Sequence, residues 1–417
     1  MSLTIAAIFW GIVTFSLLVV LHEGGHMLVA RAFGVKVHEF FIGLPGPSLS
    51  FQAKGTRYGV TAIPLGGYVR ISGMEGDTQN LLLEPVLCYL TVERHADLAK
   101  LAAHFNAEED EIISTMNTLE DWSAVVVDTK GDAWSSAFEQ AEAESPDSLM
   151  EKAQVHTFLA LKTWQRVAVL SSGVVVNIVT ALAVFTIVLS GWGYYSDLGH
   201  IDPVKGGPAY SAGLKANDKI TAIDGKSVVG VSSIAPLLAS SYNVGERVNV
   251  QVSRSGKIFS EEVELGSNPT TKKPYLGVQS HMTHVKSSVG SSLAKSFGYV
   301  GLTFKALAGF FNPRTFKASA AQSSSIVGIS VMAAKAAETS ALDYIWLIAA
   351  ISLSLGIMNI LPIPPLDGGK IAIELFAGIR KKPVSMKVQT GLSLAGFALL
   401  FLLVIVLTVN DFSHILG

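Results

Sequence analysis

The sequence predicts an α-helical membrane protein with four transmembrane helices, a membrane-associated β-sheet or hairpin region, one separate β domain and a small cytoplasmic helical insert. The 417 residues are 49% hydrophobic and only 15% charged, and the mean hydropathy is +0.44. This composition is too apolar for an ordinary soluble protein. Four apolar stretches are long enough to cross about 30 Å of hydrocarbon: residues 3–32, 167–189, 342–361 and 392–409.

The positions of these stretches predict the order of the regions. We expect a first transmembrane helix at 1–34, a membrane-associated β region at 35–74, an acidic insert at 75–160, a second transmembrane helix at 161–192, a β domain at 193–282, an amphipathic helix and linker at 283–340, a third transmembrane helix at 341–370, and a basic loop with the fourth transmembrane helix at 371–417. The N-terminal stretch has no basic start and no small-residue cleavage site, so we expect it to be retained as a span.

Net charge and cysteine content narrow the function classes. A net charge of −2 gives no reason to expect nucleic acid as a partner. The single cysteine, Cys88, excludes an intramolecular disulfide and a cysteine-based zinc cluster. A metal site in this chain would therefore use histidine and carboxylate ligands.

The first apolar stretch contains the pattern His22-Glu23-Gly24-Gly25-His26. On a helix this H-E-x-x-H spacing puts both imidazoles on one face, ready to bind one metal ion, with the glutamate between them as a general base. A charged residue at mid-membrane costs about 2.5–3.5 kcal/mol, so its presence there indicates function. The alternative is two structural histidines beside a helix-end glutamate. The other histidines lie outside any ligand spacing and are interpreted as surface or loop residues: His38, His95, His104, His156, His200, His281, His284 and His414.

The β region at 35–71 has alternating apolar runs and turn signals such as Gly66-Gly67. We expect a small sheet against the membrane. Its 59–71 run can present a strand edge to an extended substrate, so Gly66 and Gly67 are candidate substrate-binding residues.

Residues 75–151 hold 18 Asp plus Glu against three Lys plus Arg. Apolar spacing predicts one helix around 98–105 and another around 112–119, followed by a strand at 124–127, and Asn106 with Glu109 resembles an N-cap pair. The order suggests a winged-helix-like fold, but a net charge near −15 argues against DNA binding. A protein-docking or regulatory role and a simple spacer both stay open.

The second apolar stretch contains Gly173 and Asn177, four residues apart on one helical face. They could pack against the first span, with Asn177 forming a hydrogen bond across the helix interface. We interpret both as packing residues. Beyond this span, the amphipathic run at 293–311 is expected to lie on the membrane surface.

A catalytic zinc site takes three protein ligands, so two histidines require a third residue. Prolines and glycines break the third span between Asn359 and Gly369, and broken backbone at membrane depth is tolerated only beside protein or a wet cavity. Asp367 lies at this break, whereas Asp343 and Glu374 do not, so Asp367 is the predicted third ligand. Its alternative is a turn aspartate. Asn359 can bind a substrate backbone group or serve as a helix-packing amide.

Loop charge predicts the orientation. The short loop after the third span is rich in basic residues and should stay cytoplasmic. These are Lys370, Arg380, Lys381, Lys382 and Lys387. With four spans, residues 35–166 are then cytoplasmic, and the β domain and both ends of the chain lie on the other side.

Several motifs together resemble the bacterial site-2 proteases, the RseP-like intramembrane zinc metalloproteases. They are Leu21 to His26, Ile63 to Tyr68, Gly173 with Asn177, Asn359 to Gly369, and a string from Gly207 to Gly225 that is similar to a PDZ domain. The resemblance covers most of the chain. It implies one Zn²⁺ per chain held by His22, His26 and Asp367, Glu23 as the catalytic base, and a substrate-binding role for Asn359.

The same resemblance implies the partners and the location. Substrates would be single-span membrane proteins, such as anti-sigma factors or signal-peptide remnants, cleaved within the bilayer of the bacterial cytoplasmic membrane. The PDZ-like domain at 193–282 would bind a peptide or chain end outside the cytoplasm. No nucleic acid is expected. Two other function classes stay open: a catalytically silent scaffold that binds chain ends, and a small metal transporter.

Overall fold

The structure is a computed structural model that describes residues 3–64, 66–74, 80–128, 133–138, 145–196, 199–321, 323–382 and 384–416, with the backbone alone for 412–416. Within these residues, four helices are long and apolar enough to cross a membrane. They are Leu3–Ala32, Thr163–Trp192, Ala341–Asn359 and Met386–Asp411. The chain is therefore mainly helical with four candidate spans, at the places that hydropathy predicts.

The helices in chain order are α1 (Leu3–Ala32), α2 (Leu83–Glu93), α3 (Leu98–Phe105), α4 (Glu109–Asp121), α5 (Pro146–Gln154), α6 (Thr163–Ile187), α7 (Pro208–Ser211), α8 (Ile234–Ser241), α9 (Val289–Ala308), α10 (Phe316–Ala321), α11 (Ile326–Thr339), α12 (Ala341–Asn359), α13 (Asp367–Arg380) and α14 (Met386–Leu416). Short 3-10 turns occur at Phe158–Ala160, Val231–Ser233 and Gly309–Phe311, and α6 continues as a π-helical turn over Val188–Trp192.

The strands are β1 (Val37–Ile42), β2 (Ser48–Ala53), β3 (Thr56–Thr61), β4 (Gly67–Ile71), β5 (Ala96–Asp97), β6 (Val125–Val127), β7 (Ala133–Ser136), β8 (Tyr194–Ser196), β9 (His200–Pro203), β10 (Asp218–Ile223), β11 (Lys226–Ser227), β12 (Arg247–Arg254), β13 (Lys257–Glu264), β14 (Gly266–Ser267), β15 (Pro274–Tyr275), β16 (Val278–Ser280) and β17 (Thr283–Val285). The chain divides into two compact units. We call residues 1–185 with 295–417 the membrane unit and residues 186–294 the β unit.

Helix α1 is the centre of the membrane unit. It packs along α11, where Gly11 leaves room for Ser330, and against the sheet strand β4. On another side, Gly25 lies against the backbone of α6, because a Cβ added there would come within 2.8 Å of the Ser172 carbonyl oxygen. Gly24 has open space instead. Of the two glycines between the histidines, Gly25 is therefore the one that allows a close approach of the α6 backbone.

The sheet that follows α1 has the strand order β2-β3-β1-β4, so β2 and β4 are its edges. Strand β1 is parallel to β3 and antiparallel to β4. The end of α1 is tied to the sheet, because the Arg31 guanidinium donates to the Thr56 hydroxyl at 2.7 Å and to the Tyr58 hydroxyl at 2.9 Å. Strand β4 begins at Gly67, which fits against the side chain of Val19. One edge of the sheet is thus held beside α1, one turn before His22.

The acidic insert folds around its own apolar core, with the element order α2-β5-α3-α4-β6-β7-α5 and the strand order β5-β7-β6. Helices α3 and α4 and strand β6 lie where the apolar spacing predicts them, but α2 and α5 were not predicted. The predicted N-cap pair is wrong. Asn106 adopts a left-handed conformation that ends α3, and Glu108 is the N-cap of α4.

The last residue of α4, Asp121, joins the insert to the sheet. It is buried, its carboxylate accepts from the Gly73 amide at 2.7 Å, and Arg70 Nε lies 3.2 Å from the other carboxylate oxygen. Its backbone carbonyl accepts from the Ser72 hydroxyl and lies 2.6 Å from His38 Nε2. His38 is therefore a half-buried strand residue with a structural partner, so its interpretation as a surface or loop residue is wrong.

The β unit is built on a sheet of order β13-β12-β10-β9-β16, with β11 beside β10. Alternate residues of β10 and β12 point into one apolar core, as the burial of Ile220, Val248, Val250 and Val252 shows. Helix α8 covers this core through Ile234 and Leu238. Strand β16 is an edge strand of the sheet.

The third span ends at Asn359, and a new helix, α13, begins at Asp367. The intervening segment folds back over the first turn of α13. Gly368 lies against the Ile360 carbonyl and Gly369 against Pro364, in space that any side chain would fill. This packing explains the Asp-Gly-Gly sequence, and it gives the Asp367 side chain a defined position at a helix start.

Candidate metal centre

His22 and His26 lie one turn apart on α1, and both are buried. Their Nε2 atoms are 3.4 Å apart, on the side of α1 that faces α6. The i, i+4 spacing thus brings two imidazoles together within a span, as the sequence pattern predicts.

Asp367 completes a three-residue cluster. Its Oδ2 atom lies 3.0 Å from His22 Nε2 and 3.3 Å from His26 Nε2. Ligand atoms of a tetrahedral zinc site, bonded at about 2.0–2.1 Å, stand about 3.3–3.4 Å from one another. The three residues can therefore hold one metal ion. Asp367 Oδ2 is buried and has no hydrogen-bond partner in the part of the chain that the structure describes, a condition that a cation would relieve.

The orientation of His26 is set by the backbone of α6. Its Nδ1 atom lies 2.8 Å from the Val169 carbonyl oxygen, which can only accept a hydrogen bond. Nδ1 therefore carries the ring proton, and Nε2 presents its lone pair to the cluster. Ser172 supports this arrangement, since its hydroxyl donates to the same carbonyl at 2.6 Å.

Gly173 and Asn177 do more than pack. A Cβ on Gly173 would overlap His26 Nε2 and lie 2.9 Å from His22 Cε1 and Nδ1, so glycine leaves the space that the two imidazoles occupy. Asn177 is fully buried, and its amide lies 3.1 Å from His22 Nδ1. Both residues of α6 thus contact the candidate metal ligands.

Glu23 lies between the two histidines in sequence and is half-buried. The titratable side chains that interact with its carboxylate are those of His26, His22, Asp367 and Lys370. It is thus an acidic group next to the cluster but outside the three-atom triangle, which leaves it available for proton transfer.

The candidate substrate-binding residues are Asn359, at the end of α12, and Gly66 and Gly67, at the start of β4. Asn359 is the last residue of α12 and is buried. Gly66, with φ of +83°, turns the chain into β4, and Gly67 fits against Val19 of α1. The structure therefore puts Gly67 beside the helix that carries His22, through a glycine contact that a larger residue would block.

The contacts of α6 with the ring nitrogens were not predicted. Residues 167–189 are apolar on all sides, so no periodicity shows which face of α6 meets α1. The spacing of Gly173 and Asn177 was the available signal. It predicted contact with the first span and a hydrogen bond from Asn177 across the interface, but it did not predict that His22 is the partner.

Candidate spans that carry a largely buried His-His-Asp cluster are typical of integral membrane metallohydrolases. The model of peptidase family M50 matches residues 10–403, and the chain belongs to this family, which includes the site-2 proteases. It is a zinc metalloprotease of the membrane.

Bacterial relatives match this chain over nearly its whole length. It is 30% identical to the zinc metalloprotease RasP of Geobacillus kaustophilus, over 98% of both chains. It is 27% identical to the probable protease eep of Enterococcus faecalis, over 97% of this chain and 98% of the relative. It is 26% identical to the regulator of sigma-W protease RasP of Bacillus subtilis, over 97% of both.

Proposed function

We propose that this chain is an intramembrane endopeptidase that cleaves the transmembrane segments of single-span membrane proteins, with Zn²⁺ held by His22, His26 and Asp367. The observation that carries the proposal is the triangle of ligand atoms, 3.0–3.4 Å on a side. Two of its corners lie on the candidate span α1 and the third lies just after α12, so the reacting bond would have to reach membrane depth.

Each residue of the centre has a separate task in peptide hydrolysis. His22, His26 and Asp367 would hold Zn²⁺, which would supply a Lewis acid for activating water and polarising the scissile carbonyl. Glu23 takes a proton from the attacking water and returns it to the leaving nitrogen. The Val169 carbonyl keeps the His26 ring turned so that Nε2 faces the metal position.

A transmembrane substrate must unwind before cleavage, because helical peptide bonds are already hydrogen-bonded and hidden. Among the described strands, β4 pairs with β1 alone, so its other edge, beside α1, can hold an unwound segment as an added strand, starting at Gly66 and Gly67. Asn359, at the end of α12, has a side chain that can bind a substrate backbone group. Together these elements would keep the segment extended next to Glu23.

The β unit is the proposed docking module. Its edge strand β16 can accept an extended peptide, as PDZ-like domains do when they bind peptides or chain ends. The basic loop at 370–387 argues that this unit lies outside the cytoplasm and that the acidic insert lies inside. We place the protein in the bacterial cytoplasmic membrane.

The substrate class follows from the resemblance and from one relative. The Bacillus subtilis relative is named as a regulator of sigma-W, which favours single-span anti-sigma factors as substrates. Signal-peptide remnants are the second substrate class, since they are also short apolar helices.

The test compares the wild type with Glu23→Gln in detergent or vesicles, measuring bound zinc and cleavage of a model single-span peptide. We expect zinc in both and a fall in cleavage rate of about 10²–10⁴-fold in the variant, the usual contribution of a general base. Glu374→Gln is the matched control. Glu374 lies on α13, after the break, and is paired with Arg166 at 3.4 Å.

Two results would contradict the proposal. The first is zinc in both proteins with no cleavage of any substrate in a panel, which would favour a silent scaffold. The second is cleavage by Glu23→Gln at the wild-type rate, which would remove the general base from the mechanism.

A further inference from the structure

We propose that Asn177 is a positioning residue that selects the tautomer of His22 required for metal binding. This inference rests on the proposed function, because it takes His22 Nε2 as a zinc ligand. In addition to its place in the helix interface, the Asn177 amide on α6 would form the hydrogen bond that fixes the proton of His22 on α1.

A histidine that binds a metal through one ring nitrogen needs a hydrogen-bond acceptor at the other. A neutral histidine carries one ring proton, and the nitrogen that binds a metal must offer its lone pair. The other nitrogen then bears the proton and needs an acceptor, because a buried donor without a partner costs about 1–3 kcal/mol. For His26 the acceptor is the Val169 carbonyl, 2.8 Å from Nδ1.

His22 Nδ1 also needs a hydrogen-bond acceptor, and among the described residues its neighbour is the side chain of Asn177 instead of a backbone carbonyl. Asn177 Nδ2 lies 3.1 Å from His22 Nδ1, and Asn177 Oδ1 is buried without a hydrogen-bond partner among the described residues. In this rotamer the amide can only donate to Nδ1, so the ring proton would have to lie on Nε2. That tautomer cannot bind the metal through Nε2.

A 180° rotation of the terminal amide reverses the assignment. Oδ1 then accepts the Nδ1 proton, and His22 Nε2 becomes free to ligate. The rest of Asn177 has little freedom to move. Its backbone carbonyl accepts from the Ser352 hydroxyl at 3.0 Å, and a Cβ on Gly356 would lie 3.3 Å from its own Cβ. Packing between α6 and α12 therefore holds the amide within reach of His22 in either orientation.

Three variants of the full-length protein test this, with zinc affinity measured by competition with a chromogenic chelator. Asn177→Leu removes the acceptor, and we expect zinc affinity to fall about 10–100-fold, the usual cost of losing such a support. Asn177→Asp offers oxygen in both orientations, and we expect affinity within about 10-fold of the wild type. Ser352→Ala breaks the buried hydrogen bond to the Asn177 backbone carbonyl but keeps the Asn177 amide, so zinc affinity should fall less than in Asn177→Leu.

The aspartate variant decides the matter even if Asn177→Leu fails to fold. Loss of zinc in Asn177→Asp would mean that His22 needs a donor, which overturns the proposal. Wild-type affinity in a folded Asn177→Leu, or equal losses in Asn177→Leu and Ser352→Ala, would overturn it too. These outcomes differ from failure of the proposed function, in which the wild type itself would bind no zinc or cleave no substrate.

Discussion

Two aspartates of this chain have opposite roles: Asp367 in the membrane unit is half-buried, and Asp218 in the β unit is fully buried. Asp218 has no exposed surface, and both of its oxygens are paired. The Arg254 guanidinium donates to Oδ1 at 2.6 Å and to Oδ2 at 2.7 Å, and the Lys215 amide donates to Oδ2 at 2.7 Å. Asp367 Oδ2 instead faces two imidazoles and has no hydrogen-bond partner among the described residues.

The contrast separates a structural carboxylate from a functional one. Folding favours a buried carboxylate only when donors satisfy it, so a fully paired one such as Asp218 needs no further explanation. A carboxylate that leaves an oxygen unpaired and converges with two histidines is incomplete without a cation. The distribution of donors around the two carboxylates therefore distinguishes their roles.

The largest effect should come from Asp367→Ala. Removing one of three ligands should lower zinc affinity by more than about 100-fold, since even residues that only support a ligand cost 10–100-fold. Peptide cleavage should fall with zinc content. Hydrogen exchange of β10 and β12 in the same full-length protein should match the wild type, because the substitution leaves the β unit unchanged.

If Asp367→Ala bound as much zinc as the wild type, the third ligand would be another residue. Asp367 would then no longer be the functional carboxylate in the comparison with Asp218. Glu374→Ala is a suitable control. It removes a carboxylate of the same helix, one whose partner is Arg166, and should leave zinc binding intact.

The next effect tests whether the space around the imidazoles is as tight as the geometry indicates. Gly173→Ala would bring a methyl group within 2.9 Å of His22 and into closer contact with His26, so one ring must move. We expect a loss of zinc affinity of about 10–100-fold by displacement of a ligand. Gly24→Ala adds the same methyl group within α1, where nothing lies within 4 Å, and should bind zinc like the wild type. Equal affinities in all three proteins would mean that α6 does not confine the ligands.

The sequence could predict features that depend on residues close together in the chain. The i, i+4 spacing predicts that His22 and His26 meet, and the broken helix points to Asp367. The roles of Val169 and Asn177 depend on the rotation of α6 about its axis, and an apolar span carries no periodic signal for that rotation. The distances from Asn177 to His22 and from Val169 to His26 therefore had to come from the structure.

The insert shows the same limit. Apolar spacing predicts α3 and α4, but Asn106 proved to end α3, because asparagine tolerates the left-handed conformation of a helix end as readily as it caps a helix start. The attachment of Asp121 to Gly73 joins residues 48 positions apart in sequence. No pattern of neighbouring residues predicts this contact between Asp121 and Gly73.

The smallest effect concerns Asp218, the paired member of the comparison. Burial raises the pKa of Asp218, but the hydrogen bonds from Arg254 and from the Lys215 amide outweigh it, so the pKa is lowered overall. Asp218→Asn should destabilise the β unit by about 2 kcal/mol through loss of a charge-assisted pair. Urea unfolding of the full-length protein, read by a short deuterium pulse at fixed pH on β10 and β12, measures this difference, and zinc content should be unchanged.

The pH dependence of that difference has a definite sign. Because the folded-state pKa of Asp218 is lowered, its stabilisation is complete above the unfolded-state pKa of about 3.9 and is lost as pH falls towards the folded-state pKa. The gap in stability between wild type and Asp218→Asn should therefore be constant from about pH 7 to pH 5.5 and should shrink below about pH 4. A gap that widens on acidification would mean that Arg254 and Lys215 do not hold Asp218 ionised, and Asp218 could then no longer serve as the satisfied counterpart of Asp367.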